Sequence, residues 1–185
     1  MKRSGALRIE APSEREIVMT RVFDAPRPLV FDALTRPDLL RRWLIEPSGW
    51  NLTVCQIDLR EGGSYRLVWR GVDGSEVGMR GVFVEVVPPA LTVNTEGYDR
   101  SWYPGEAVVT TCLVEEAGRT TLTGTVLYES REARDVVLES GLERGAGASY
   151  DRLDKLTRRL SGASLGYHWL HRAGQELRGV FGRPV

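Results

Sequence analysis

At 185 residues, with 42% hydrophobic and 27% charged side chains, the sequence has the make-up of one soluble domain able to bury a core without disulfide staples. Lys+Arg and Asp+Glu balance at 25 each, which argues against a nucleic-acid partner, and no apolar run nears the roughly 18 residues of a membrane span. Two cysteines, Cys55 and Cys112, exclude a disulfide framework and a four-cysteine zinc site. The N-terminus has a basic start but no apolar stretch of the secretory kind, so a cytoplasmic location is expected.

Residues 1–14 are polar, broken by Pro12-Ser13, and read as an N-terminal arm. REIVMTRVF (15–23) predicts a first strand. Asp24, Pro26 and Pro28 supply a cap-like residue and helix-start prolines before LVFDALT, and LLRRWL (39–44) predicts a second short helix. From Trp50 to Tyr128 six strands follow, punctuated by EGG (61–63), VDG (72–74), Pro88-Pro89, the looser stretch 99–105 and Ala117-Gly118. Short links between them argue for one strongly curved antiparallel sheet. Residues 131–160 switch to helical periodicity, with Leu153, Leu156 and Leu160 on one face. Gly141, Gly145 and Gly147 interrupt that helix. They either mark a poor helix rescued by packing or broken in two, or let it lie close over a ligand or flex.

The segments TRVFDAPRPLVFDALTRPDLLRRWL (20–44), IDLREGGSYRL (57–67), GVFVEVVPPALTVNT (81–95) and SGLERGAGASYDRLDKL (140–156) carry a family resemblance. The sequence resembles the START-related SRPBCC superfamily, in its branch of activator of heat-shock-protein-90 ATPase homologue-like domains. The resemblance implies an α+β helix-grip fold over residues 15–160: a curved antiparallel sheet, two short helices, and a long C-terminal helix over a cavity. It departs from the pattern at Ala146, where relatives often carry tryptophan, and at Tyr150, where they carry leucine. Both changes alter the space under the long helix.

Strand alternation proposes the cavity wall. Tyr65, Leu67 and Trp69 share an apolar face; Met79 and Phe83 are preferred inward on the next strand, with Gly81 and Glu85 on the same side. Val108, Thr110 and Cys112 compete with Val109, Thr111 and Leu113, whereas Leu122, Gly124, Val126 and Tyr128 form a cleaner inward row. Trp43 and Trp102 are candidates for the mouth, and Gly141 and Tyr150 for the helix side. Taken singly each wall aromatic is better accounted for as core, and only as a set do they read as a pocket; Trp43 and Trp102 could equally be surface-packing residues.

Asp58 and Arg60 are read as an ion pair, and the two cysteines as small buried hydrophobes. Glu76, Glu85, Glu96 and Glu106 are scattered carboxylates, any one of which would be chemically notable if buried. The two histidines, His168 and His171, both lie outside the domain, so no nucleophile–base pair is visible and no cofactor or metal is expected. The extension 161–185 reads as a short helix docking on the sheet, as one docking on a second subunit, which would make a homodimer, or as a disordered tail. The expected function is binding of a small hydrophobic molecule in the cavity. The resemblance also implies two alternatives: a chaperone partner, or chemistry similar to that of polyketide cyclases.

Overall fold

A computed structural model describes residues 5–44 and 50–162. In chain order these form β1 (Arg8–Glu10), β2 (Glu16–Phe23), α1 (Arg27–Thr35), α2 (Pro37–Trp43), β3 (Asn51–Ile57), β4 (Ser64–Arg70), β5 (Glu76–Val87), β6 (Leu91–Tyr98), β7 (Ala107–Glu116), β8 (Arg119–Tyr128), α3 (Arg131–Glu139) and α4 (Leu142–Gly162). All strand pairs are antiparallel, in the order β1-β2-β8-β7-β6-β5-β4-β3. The meander from β3 to β8 thus returns to β2, with Phe23 opposite Thr120 and Glu16 opposite Leu127. This is the helix-grip architecture. Arg8–Glu10, within the N-terminal arm, pairs as a short edge strand. The part of the C-terminal extension that carries His168 and His171 lies outside the described residues.

The two short helices begin where proline fixes the backbone. Pro26 occupies the N-cap of α1 and no side chain caps it, so the cap-like role expected of Asp24 is not found. Asp24 instead accepts from Arg119 Nε at 2.8 Å and from Arg158 Nη2 at 2.9 Å, and Arg158 also reaches Asp154 at 2.9 Å. One carboxylate therefore ties the β2–α1 corner to β8 and α4. Asp24→Asn weakens both bonds, and a loss of about 1–2 kcal/mol is expected in denaturant unfolding, discounted for partial exposure. An unchanged midpoint would show that water replaces the network at no cost.

The helical stretch 131–160 divides at Gly141, which adopts φ +85° between α3 and α4. Of the readings open for it, the structure shows two helices with a break. Packing of α4 on α1, α2 and β2 buries Leu153 and Leu156 in the main core with Phe23, Leu29, Val30 and Trp43. Arg152 adds a bond from its Nε to the Trp43 carbonyl, at 2.9 Å. A second, smaller cluster joins Ile17, Tyr103, Val126 and Tyr128 to Ala133 and Val137 of α3.

Two sheet positions depart from simple alternation. The pairing of β5 with β6 shifts register between Phe83 and Glu85. The extra residue turns Val86 toward the core and leaves Glu85 exposed, although both Glu85 and Phe83 sit on one face by count. On β7 the undecided alternation resolves in favour of Val109, Thr111 and Leu113. Asp58 and Arg60 form the expected ion pair, 2.8 Å long and exposed, in the turn after β3.

Candidate functional site

The concave side of the sheet and the two short helices form a half-open cavity of about 250 Å³. From above it is closed by Phe31, Leu34 and Thr35 of α1 with Leu40 and Trp43 of α2 and the adjoining Leu44; β3 to β7 form the floor. The long helix, expected as the roof, does not border it among the described residues. Its apolar face is occupied against α1, α2 and β2, so among the described residues the short helices and Leu44 cover this part of the sheet.

Five of the sequence-proposed residues, Trp43, Tyr65, Leu67, Met79 and Phe83, border this cavity. A second, more open pocket lies at the start of α4. There Trp43 meets Trp102, Gly141 and Tyr150, with Ala146 beside them. The Tyr150 ring stacks on Trp43 at 6.4 Å and meets Phe23 edge-on at 6.2 Å. Burial pushes its hydroxyl up to about 12, partly offset by Arg21, so it stays neutral. Trp43, whose indole donates to the Ala33 carbonyl at 2.8 Å, is shared by the two spaces.

Trp69 and Tyr128 border neither. Trp69 is core, its indole 3.4 Å from the Leu44 carbonyl. Tyr128 packs edge-on against Tyr103 at 5.4 Å in the cluster beneath α3. Cys55 is buried in the main core, and burial pushes its thiol up, which removes thiolate reactivity.

The polar part of the cavity comes from β6, where the wall residues are Thr92, Asn94 and Glu96. Glu96 is half-buried and faces the cavity. Among the described residues it makes no salt bridge; its one hydrogen-bond partner is the Tyr103 hydroxyl, which donates to Oε1 at 3.4 Å. Four tyrosines, Tyr65, Tyr98, Tyr103 and Tyr128, lie within electrostatic range of the carboxyl. Burial in this phenolic and apolar setting pushes Glu96 up to about 7, with the Tyr103 bond opposing the rise. Burial first, and the Glu96 charge second, push all four phenols above their ordinary range and keep them neutral. A carboxyl poised near neutrality can accept or release a proton, or meet a charged ligand.

Among the described residues most side-chain donors around Glu96 are already engaged, the exceptions in this wall being the hydroxyls of Thr92 and Thr111. The Tyr65 hydroxyl donates to the Thr95 carbonyl at 2.9 Å. Asn94 Nδ2 donates to the Tyr65 hydroxyl oxygen at 3.3 Å and to the Thr95 carbonyl at 3.1 Å. The Thr35 hydroxyl donates to the Phe31 carbonyl at 2.8 Å.

The family model for Activator of Hsp90 ATPase homolog 1-like proteins matches residues 24–158. The chain belongs to this family. A crystal structure of a Rhodobacter sphaeroides protein is similar at 33% identity and TM-score 0.78, covering 82% of this chain and 97% of that one. Proteins from Nitrosomonas europaea (24% identity, TM-score 0.71, covering 82% and 99%) and Mycobacterium smegmatis (23%, 0.71, 83% and 96%) share the fold. The comparison with curated proteins finds no match. Family membership is consistent with a ligand in the cavity and specifies none. No helix among the described residues is long and apolar enough to cross a membrane.

Proposed function

We propose that the protein binds a small, largely apolar or aromatic molecule in the cavity between the curved sheet and the two short helices. The observation that carries this reading is a half-open cavity of about 250 Å³ with a mainly aliphatic and aromatic wall. An apolar cavity of about 150 Å³ is enough to hold benzene, so this one suits a ring with a short side chain. Burial of ligand surface supplies affinity, and the β6 polar row sets orientation.

The test is native mass spectrometry for a co-purified molecule, followed by a thermal-shift screen of neutral aromatic compounds. At a hundredfold excess over Kd, a bound compound is expected to add about 2.7 kcal/mol of apparent stability. Thr111→Phe, which fills the cavity, is expected to abolish the shift. Thr111→Val, which keeps the volume, is expected to retain it. A shift that survives Thr111→Phe in a folded protein overturns the location.

The half-buried Glu96 favours a second reading, an enzyme that uses this carboxyl as proton donor or acceptor on a substrate in the same space. Turnover of a bound compound that disappears in Glu96→Gln, while binding persists, would select it.

A further inference from the structure

The geometry points to an organic cation, an aromatic or aliphatic amine whose ammonium sits against Glu96 and whose apolar body fills the cavity, as the ligand class this site takes. The inference rests on the ligand-binding reading above and narrows it by chemistry.

Three observations converge. First, among the described residues the wall carries one ionisable carboxylate and no lysine or arginine. An ionised carboxylate held among apolar groups without a counter-charge is unfavourable, and a cationic ligand supplies what the protein leaves out. Second, most neighbouring donors already point at protein acceptors: Tyr65 at Thr95, Asn94 at Tyr65 and Thr95, Thr35 at Phe31, and Tyr103 at Glu96 itself. What these side chains leave for a ligand is acceptor capacity, which suits an N–H donor, and the Thr92 and Thr111 hydroxyls of the same wall can accept from an ammonium as well as donate. Third, Tyr65 and Phe83 pack at 5.7 Å beside the carboxyl's end of the cavity, with Trp43 in the same wall, so aromatic faces are available to a cation. Fatty acids and other anions of matching size are disfavoured by the same charge.

Among the described residues, the groups that face Glu96 leave it the sole titrating partner near neutral pH. Tyr65 of β4, Tyr98 of β6, Tyr103 of the β6–β7 connection and Tyr128 of β8 are all held neutral. Glu106, which acts on Tyr65, lies 3.9 Å from Arg80. A bound ammonium draws Glu96 into its ionised form. With the carboxyl pushed up to about 7, binding at neutral pH releases about half a proton.

Titration calorimetry with 2-phenylethylamine and its neutral counterpart 2-phenylethanol, in buffers of different ionisation heat, tests this. The expected result is at least tenfold tighter binding of the amine at pH 8, about half a proton released on binding at pH 7, and loss of the preference at pH 5. Glu96→Gln is expected to bind both compounds equally. Binding of the alcohol with no preference for the amine overturns the cation assignment and leaves the cavity reading standing. An amine preference that persists in Glu96→Gln also overturns it. Failure of both compounds to bind at millimolar concentration overturns the assignment together with the reading beneath it.

Discussion

Replacing Glu96 with glutamine is expected to make the protein more stable at about pH 8 while leaving it little changed at about pH 5. The folded-state carboxyl is pushed up from 4.5 to about 7 by burial, so the native protein holds the proton more tightly than the unfolded chain does. The associated stability is fully present below 4.5 and is lost as pH rises through about 7. The shift corresponds to about 3 kcal/mol at most, less to the extent that water enters the cavity. For a chain of this size that is roughly 5–10 °C in Tm. Glutamine keeps the shape and the hydrogen bond from Tyr103 but carries no titrating proton. Every other titrating group, the two histidines included, is common to both proteins and cancels in the difference. Thermal melts of both proteins across that range, at constant ionic strength, decide the matter. Parallel profiles would show that Glu96 is hydrated enough to titrate normally, and would remove the argument for its special chemistry.

Glu96 also marks where the sequence stops being informative. In LTVNTEGY the apolar set Leu91 and Val93 alternates with the polar set Thr92, Asn94 and Glu96, and the usual rule sends the apolar set inward. The structure does the reverse at the cavity, and nothing within β6 announces it. The cause is non-local. Thr92 is paired with Thr111, whose face is fixed by Leu113 in the core, and the register across β6 and β7 carries that choice along both strands. The strongly patterned strands were readable because each had one clearly apolar face: Tyr65, Leu67 and Trp69 on β4, and Leu122 and Val126 on β8. On β5 the alternation was readable up to Phe83 and failed at Glu85, because a bulge is a two-strand property and leaves no mark in one strand's composition. Likewise the resemblance carried the long helix over the sheet correctly, but which part of the sheet it leaves to α1 and α2 depends on where Leu153 and Leu156 find partners. The role of Asp24 was misread for a similar reason. A local cap is the nearest explanation for an aspartate before a helix, yet Arg119 and Arg158, distant in sequence, claim both its oxygens.

Gly81 ties the wall of the cavity to the backbone, and its replacement is expected to have the largest effect of any single change at the site. It lies directly opposite Tyr65 in the β4–β5 pair. A Cβ there would fall inside the van der Waals boundary of the Thr95 carbonyl oxygen and 2.5 Å from Tyr65 Cε1. The tyrosine ring could swing away, but the carbonyl belongs to β6 and moves only with the strand. The same carbonyl accepts the Tyr65 hydroxyl and Asn94 Nδ2, so its displacement breaks the polar arrangement beside Glu96. Gly81→Ala is therefore expected to lose at least about 4 kcal/mol, seen as insoluble protein or a fall in Tm of roughly 10 °C or more. If the Tyr65 ring alone were the obstacle, Tyr65→Ala in the Gly81→Ala background would restore stability. The backbone clash predicts that it does not, and that the double variant is at least as unstable as the single one. Rescue by Tyr65→Ala would instead show that the glycine exists to seat the tyrosine ring, and that β6 has room to move. The two outcomes separate a wall held rigid by the sheet from one held by a single side chain, and only the rigid wall keeps the Glu96 carboxyl aimed at a ligand before it arrives.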